Sequence, residues 1–256
     1  MKNFTISPNK KESVKVWAIA FWLLLWQGLS MHIGREVLLT SPFLVLRRLL
    51  ELSMEFAFWS AVLFSMGRIV IGFSFATVVG VLLAGISSRF KVVEQLLEPA
   101  MLFVKATPIA SIIVLLLLWF SSRNLAVIVS FLMVLPIMYT NVLGGIKNID
   151  KSLLEMAAVF DMSIGRRIKY IYFWEVLPFF KAACLLGLGL SWKAGVAAEI
   201  IGIPTGSIGA HLHRARIFLD TPSLFAWTIA VIVLSTTFER LFMLTLDHIT
   251  LKMEGM

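Results

Sequence analysis

The chain has one cysteine in 256 residues, Cys184, and it lies inside an apolar run. A single thiol excludes a disulfide framework and a cysteine metal site, and reads as a buried apolar side chain. Charge is scarce too. Only 15% of residues are charged, and 23 Lys and Arg against 15 Asp and Glu give a formal net charge of +8. There is no Gly-x4-Gly-Lys-Ser/Thr segment, so the chain has no phosphate-cradling loop of its own. His-Glu-x-x-His and Gly-x-Ser-x-Gly are also missing. His32, His211, His213 and His248 do not cluster with carboxylates at metal-ligand spacing. His211 and His213 stand beside Arg214 and Arg216, a setting that repels a cation. These absences leave no ground for expecting a catalytic, metal or cofactor site.

What is present is apolar surface. Hydrophobic residues make up 59% of the chain, and the mean hydropathy is +0.90. No ordinary soluble domain hides that much, so an all-α, multi-pass membrane protein is expected, read as one domain over 1–256 with core helices over about 57–246. About 20 apolar helical residues cross a bilayer core. The candidate spans are about 15–33, 57–87, 104–121, 124–146, 178–199 and 222–246. The first follows Lys2, Lys10, Lys11 and Lys15 and lacks a small-x-small cleavage site after it, so it is read as an uncleaved helix. Six spans put both termini in the cytoplasm. Lys147, Lys151, Arg166, Arg167 and Lys169 then fall inside, with Arg47, Arg48, Arg123, Arg214 and Arg216 outside. In such a chain the positive charge belongs to cytoplasmic loops and lipid, not to nucleic acid.

Two spans carry stripes of small residues. Gly72, Ala76, Gly80 and Ala84 recur every four positions in the second. Ala183, Gly187, Ser191 and Gly195 do so in the fifth. Such stripes let helix backbones approach closely, within a subunit or across a dimer. Lys193 and Glu199 are charges deep in the fifth span, and intramembrane charges face a cavity or a partner. They lie about 120° apart round a helix, so they do not pair with each other. Glu199 falls near the Ser191–Gly195 stripe and Lys193 faces elsewhere; an anion path lined by Lys193, with Ser191 and Glu199 as further path candidates, stands beside a structural reading: an ion pair with another helix, or a snorkelling lysine.

Leu154 to Pro178 reads LEMAAVFDMSIGRRIKYIYFWEVLP, a polar and basic island between apolar runs. A helix with Ala157 and Ala158 presses its backbone into a partner's groove, with Glu155 and the flanking basic residues setting its register. An amphipathic helix resting on anionic lipid is the other reading.

The island resembles the cytoplasmic loop of binding-protein-dependent ABC importer permeases. That loop reads Glu-Ala-Ala, three residues, Gly, nine residues, Ile-x-Leu-Pro. Here Glu155-Met156-Ala157 opens it, Asp161 stands at the Gly, Ile171 keeps the Ile, and Trp174 replaces the Pro. A Leu177-Pro178 follows one turn later. Ser41-Pro42 with Arg47-Arg48, Arg68 to Phe73, Trp192 to Glu199, Gly202-Ile203-Pro204 and Gly206 to Gly209 resemble the nitrate, sulfonate and taurine group of these permeases. The resemblance implies the type I importer permease fold and a coupling loop over about 150–177, in which Glu155, Met156, Ala157, Ala158, Asp161 and Ser163 meet an ABC ATPase. It also implies a homodimer, an extracytoplasmic substrate-binding protein, and ATP and Mg held by the ATPase rather than by this chain. Asp161 adopts left-handed angles less freely than Gly, so the turn is expected to be ordinary helix or the docking geometry to differ. A stand-alone secondary transporter or channel is the competing class, with Glu199 the acid expected to gate it.

Overall fold

The computed structural model describes residues 16–254. The four N-terminal lysines lie outside them. The described chain is helical throughout: α1 Val16–Ile33, α2 Pro42–Ser53, α3 Phe56–Arg89, α4 Lys91–Ala106, α5 Ile109–Leu116, α6 Ser122–Lys147, α7 Lys151–Val159, α8 Ile164–Arg167, a π-turn Ile168–Tyr172, α9 Phe173–Gly202, α10 Ile208–Ile217 and α11 Thr221–Glu254.

Among the described residues, four helical rods are long and apolar enough to cross a membrane: Phe56–Arg89, Ser122–Lys147, Ile164–Gly202 and Thr221–Met253. A fifth candidate is the pair α4 and α5, bent by 102°. The 18 residues of α1 form a shorter apolar helix. The span expected at 104–121 is therefore not one straight helix. Pro108 has no N–H to donate, and it pushes Thr107 before it to φ −76°, ψ 130°, in the extended region. α3 runs unbroken for 34 residues, with the Arg68 guanidinium 3.6 Å above the ring of Phe64 one turn earlier.

The core is α3, α6 and α9, and the small residues bring them together. A Cβ on Gly72 would fall 2.4 Å from the Val127 carbonyl oxygen, and one on Gly80 2.6 Å from Met138 Cβ, both on α6. On α9, a Cβ at Gly195 would meet Ile69 Cγ1 at 2.5 Å, and one at Gly187 would meet Val134 Cγ1 at 3.2 Å. Ala76, Ala84 and Ala183 are buried. Both stripes thus lie at helix contacts inside the subunit. Phe73, Val134, Met138, Cys184 and Leu188 fill the middle of the bundle. Val45, Phe58, Trp192, Ile208 and Trp227 fill the end nearest α10.

Candidate functional site

Three regions carry the residues singled out above. The first is α7, at the opposite end of α9 from α10. Its N-cap is Asp150, whose carboxylate accepts the Ser152 N–H at 2.9 Å. That bond holds the Asp150 carboxyl below the usual range. The C-terminus closes through a residue in the left-handed region, Asp161 at φ 44°. The Met162 N–H reaches back to the Ala157 carbonyl at 2.9 Å, and the Asp161 N–H to the Ala158 carbonyl at 3.1 Å. Those two bonds define a Schellman cap. Asp161 therefore keeps the turn that a Gly would make, against the expectation of ordinary helix there. Arg167 adds a second clasp, donating from Nε to the Met162 carbonyl at 2.8 Å.

One expected contact residue is not available to a partner. Ala157 is 0% exposed and packs with Ile149 and Ile171. Glu155, Met156, Ala158 and Ser163 are exposed. The sequence reading missed the larger apolar side chains beside them. Val159 is 81% exposed, Phe160 72% and Ile164 78%. Val159 and Phe160 end the capped α7 and Ile164 opens α8, so uncovered apolar side chains stand on both sides of the Asp161 turn.

The second region is at the other end of α9. Glu199, 0% exposed, accepts Ser65 Oγ of α3 at 2.7 Å and the Gly209 N–H of α10 at 3.2 Å, both on Oε2. Ser65 Oγ in turn accepts the Ile208 N–H at 3.0 Å. The carboxylate thus sits on the first N–H groups of α10, where a negative charge suits the helix dipole. Gly209 is required there, because a Cβ would lie 2.3 Å from Glu199 Cβ. The chain reaches this arrangement through Ile203 at φ 50°, a costly conformation for a β-branched residue. Glu199 Oε2 is therefore held in structural hydrogen bonds, while Oε1 is buried without a hydrogen-bond partner. Ser191 is buried as well, donating to the Leu188 carbonyl at 2.8 Å while its own carbonyl accepts Ser130 Oγ at 3.1 Å.

The third region is a groove of about 520 Å³ between α9 and α11. Lys193 lines it and is exposed. Facing it is Glu239, an acid that the sequence reading passed over because it sits inside the last apolar span beside Arg240. Lys193 is thus separated from Ser191 and Glu199, and grouped instead with Glu239, Ser235 and Thr236. Among the described residues no group of His, Cys, Asp and Glu could hold a metal ion.

Comparison with known proteins agrees with this architecture. Residues 76–246 match the family described as binding-protein-dependent transport system inner membrane component. The chain is 32% identical over 222 residues to an Escherichia coli (strain K12) permease protein whose name gives aliphatic sulfonates as its cargo, covering 81% of this chain and 82% of that protein. It is 26% identical to the riboflavin transport system permease protein of Chloroflexus aurantiacus over 86% of this chain and 85% of that one. It is 20% identical to the taurine transport system permease protein of E. coli (strain K12) over 90% and 86%. A bundle of membrane-length helices around a small-residue core, matched over 76–246, places the chain among the binding-protein-dependent transport system inner membrane components, the permeases of ABC importers.

Proposed function

We propose that this permease passes a small anionic or vitamin-like solute, of the kind carried by sulfonate, nitrate, taurine and riboflavin systems, from an extracytoplasmic binding protein into the cell. Two copies would enclose the path, and two ATPase subunits, holding ATP and Mg, would grip the two α7 segments. Drawing those segments together would switch the cavity between its two sides. The observation that carries this reading is the uncovered face of Met156, Val159, Phe160 and Ile164. Water-exposed apolar side chains on a capped helix and just past the turn that ends it suit a protein groove. The caps matter because a frayed segment would absorb the pull instead of passing it to α9. The basic residues Lys151, Arg166, Arg167 and Lys169 around the face favour the cytoplasmic side, which puts α10 and the α2 arginines outside, towards the binding protein.

Cysteine chemistry tests both docking and orientation, because Cys184 is the one native thiol. In a Cys184→Ala background, Phe160→Cys should cross-link to a cysteine placed in the ATPase groove. Asn124→Cys should react with an impermeant thiol reagent added outside intact cells, and Ser163→Cys should be spared. Labelling of Ser163→Cys but not Asn124→Cys, or no cross-link in a complex that contains the ATPase, would overturn the reading.

A further inference from the structure

Two arginines stand side by side where α6 begins, and the fold does not neutralise them both. Gly72 of α3 packs against Val127 and Ser130 of α6, and Gly80, two turns on, against Met138 and Tyr139. α3 and α6 therefore run in the same direction. Arg68 is four residues before Gly72, and Arg123 is four before Val127. Each arginine thus lies one turn, about 6 Å, before the same contact and near the same face of its helix. The charges within reach of Arg68 are Glu199 and Arg123. Among the described residues neither arginine forms an ion pair, and Arg68 Nη1 is buried without a hydrogen-bond partner. Two guanidinium groups and one carboxylate leave one positive charge uncompensated, at a buried donor that lacks an acceptor.

The level of this cluster in the membrane says what completes it. On α3 the stretch 69–88, between Arg68 and Arg89, carries no charge and is about 30 Å long, the thickness of a hydrocarbon core. On α6 no charge separates Arg123 from Lys147. Arg68 and Arg123 therefore share one headgroup level, with the exposed rings of Trp119 and Phe120 beside them. From Arg68 an exposed apolar stripe of Ile71, Phe75, Val78 and Leu82 runs along α3 into the core, with Phe75 against Phe131 of α6 at 5.0 Å. We propose that this seam of α3 and α6 binds an anionic diacyl phospholipid. Arg68 and Arg123 hold its phosphodiester, and one acyl chain lies along the stripe. A phosphodiester carries the single negative charge that the cluster lacks, and it supplies an acceptor to Arg68 Nη1. Stacking on Phe64 at 3.6 Å fixes the guanidinium plane and leaves its N–H edge for two phosphate oxygens. A zwitterionic lipid would set its own cation beside two arginines. A free phosphate or sulfonate shares the headgroup chemistry but leaves the stripe uncovered. The proposal needs the chain to span a membrane and nothing of its cargo or its ATPase.

The test is displacement of a fluorescent phosphatidylglycerol from the full-length permease, purified in a neutral detergent and followed by anisotropy. The competitors are unlabelled phosphatidylglycerol, phosphatidylcholine, and glycerophosphoglycerol, which is the same headgroup without acyl chains. Phosphatidylglycerol should displace the probe at about one tenth of the concentration that phosphatidylcholine needs, the worth of one charge-assisted contact. The chain-free headgroup should displace it more weakly still. Arg123→Gln should weaken phosphatidylglycerol about tenfold and erase its preference over phosphatidylcholine, and Arg68→Gln should do the same. Arg216→Gln, at an exposed arginine of α10, should change neither lipid. Equal displacement by the two lipids would report an unselective lipid annulus. Equal displacement by the chain-free headgroup would report a free-anion site, and equal weakening by Arg216→Gln a general surface charge. Each of these results overturns the proposal, as does unchanged affinity in Arg123→Gln. The first two need no variant to fold, and Arg123 is exposed and makes no bond to the Glu199 network.

Discussion

The two ends of α9 are finished in opposite ways. At the Glu199 end several polar groups pair with one another, although Glu199 Oε1 and Trp192 Nε1 are buried without a hydrogen-bond partner. Glu199, Ser65 and the first N–H groups of α10 form one buried network. Arg48 Nε donates to Ser223 Oγ at 2.8 Å, and Thr221 Oγ1 to the Val37 carbonyl at 2.7 Å. At the Glu155 end the backbone is equally well capped, yet Val159, Phe160 and Ile164 project from it uncovered. The first end secures its own shape. The second is built rigid and left without a cover, which is what a contact for another subunit requires. Rigidity is common to both ends; what differs is where the apolar surface goes.

The largest loss is expected when the core joining the two ends is forced apart. Gly80→Leu places a side chain where even a Cβ lies 2.6 Å from Met138 Cβ and 3.2 Å from the Tyr139 backbone nitrogen. Backbone cannot yield cheaply, so a loss of about 3 kcal/mol or more is expected. Membrane insertion should continue while assembled protein disappears from gel filtration; a normal yield would place the stripe against lipid. Next comes the Glu199 end alone. Glu199→Ala strands the Ser65 hydroxyl and the Gly209 N–H, at about 2–3 kcal/mol. The unfolding midpoint should fall, and Glu199→Gln, which keeps an acceptor oxygen, should fall less. Equal midpoints for Ala and wild type would show that the network is dispensable.

A smaller effect concerns acid. His211, stacked on Trp227 at 4.7 Å, is held below the ordinary imidazole range by burial, then by the nearby Arg214, against an opposing pull from Glu55. With its folded pKa depressed, the unfolded chain binds the proton more readily. The α10 end should therefore lose stability as pH falls below about 6.5, with the loss complete below the depressed value. His211→Phe keeps the stacking and removes the titration. Its midpoint should drop less between pH 7 and pH 5 than that of wild type, and parallel curves would refute the assignment. The smallest effect sharpens the other end. Asp161→Gly should stabilise the fold slightly, by about 0.5–1 kcal/mol, and so raise the unfolding midpoint, because Gly adopts the φ of 44° without strain. A lowered midpoint would mean that the Asp161 side chain stabilises the turn.

Most of the bundle was legible because lipid imposes a length and an apolar content on any helix that crosses it. The four-residue stripes were legible for a related reason: only small residues permit backbone contact. The break between α4 and α5 was not, since an apolar run around Pro108 reads the same whether the helix kinks or turns through 102°. At α7, type and position were readable but facing was not; Ala157 and Ala158 are adjacent and alike, and only packing against Ile149 and Ile171 decides which is buried. The role of Glu199 depends on Ser65, 134 residues away, a distance no local pattern encodes. Glu239 could have been found as a charge inside the 222–246 span, and attention to every intramembrane acid rather than the fifth span alone is the signal that would have shown it.

In the proposed importer, an ATPase completes the face around Glu155 to Ile164. Glu155→Lys with Ala158→Trp changes two exposed positions one turn apart and touches nothing in the bundle core. The expected product is a permease that folds and inserts normally but either fails to co-purify with its ATPase or hydrolyses ATP without uptake. Resting on lipid predicts the reverse, since Trp and Lys both favour a headgroup surface. Wild-type ATPase association and uptake in the double variant would contradict the claim.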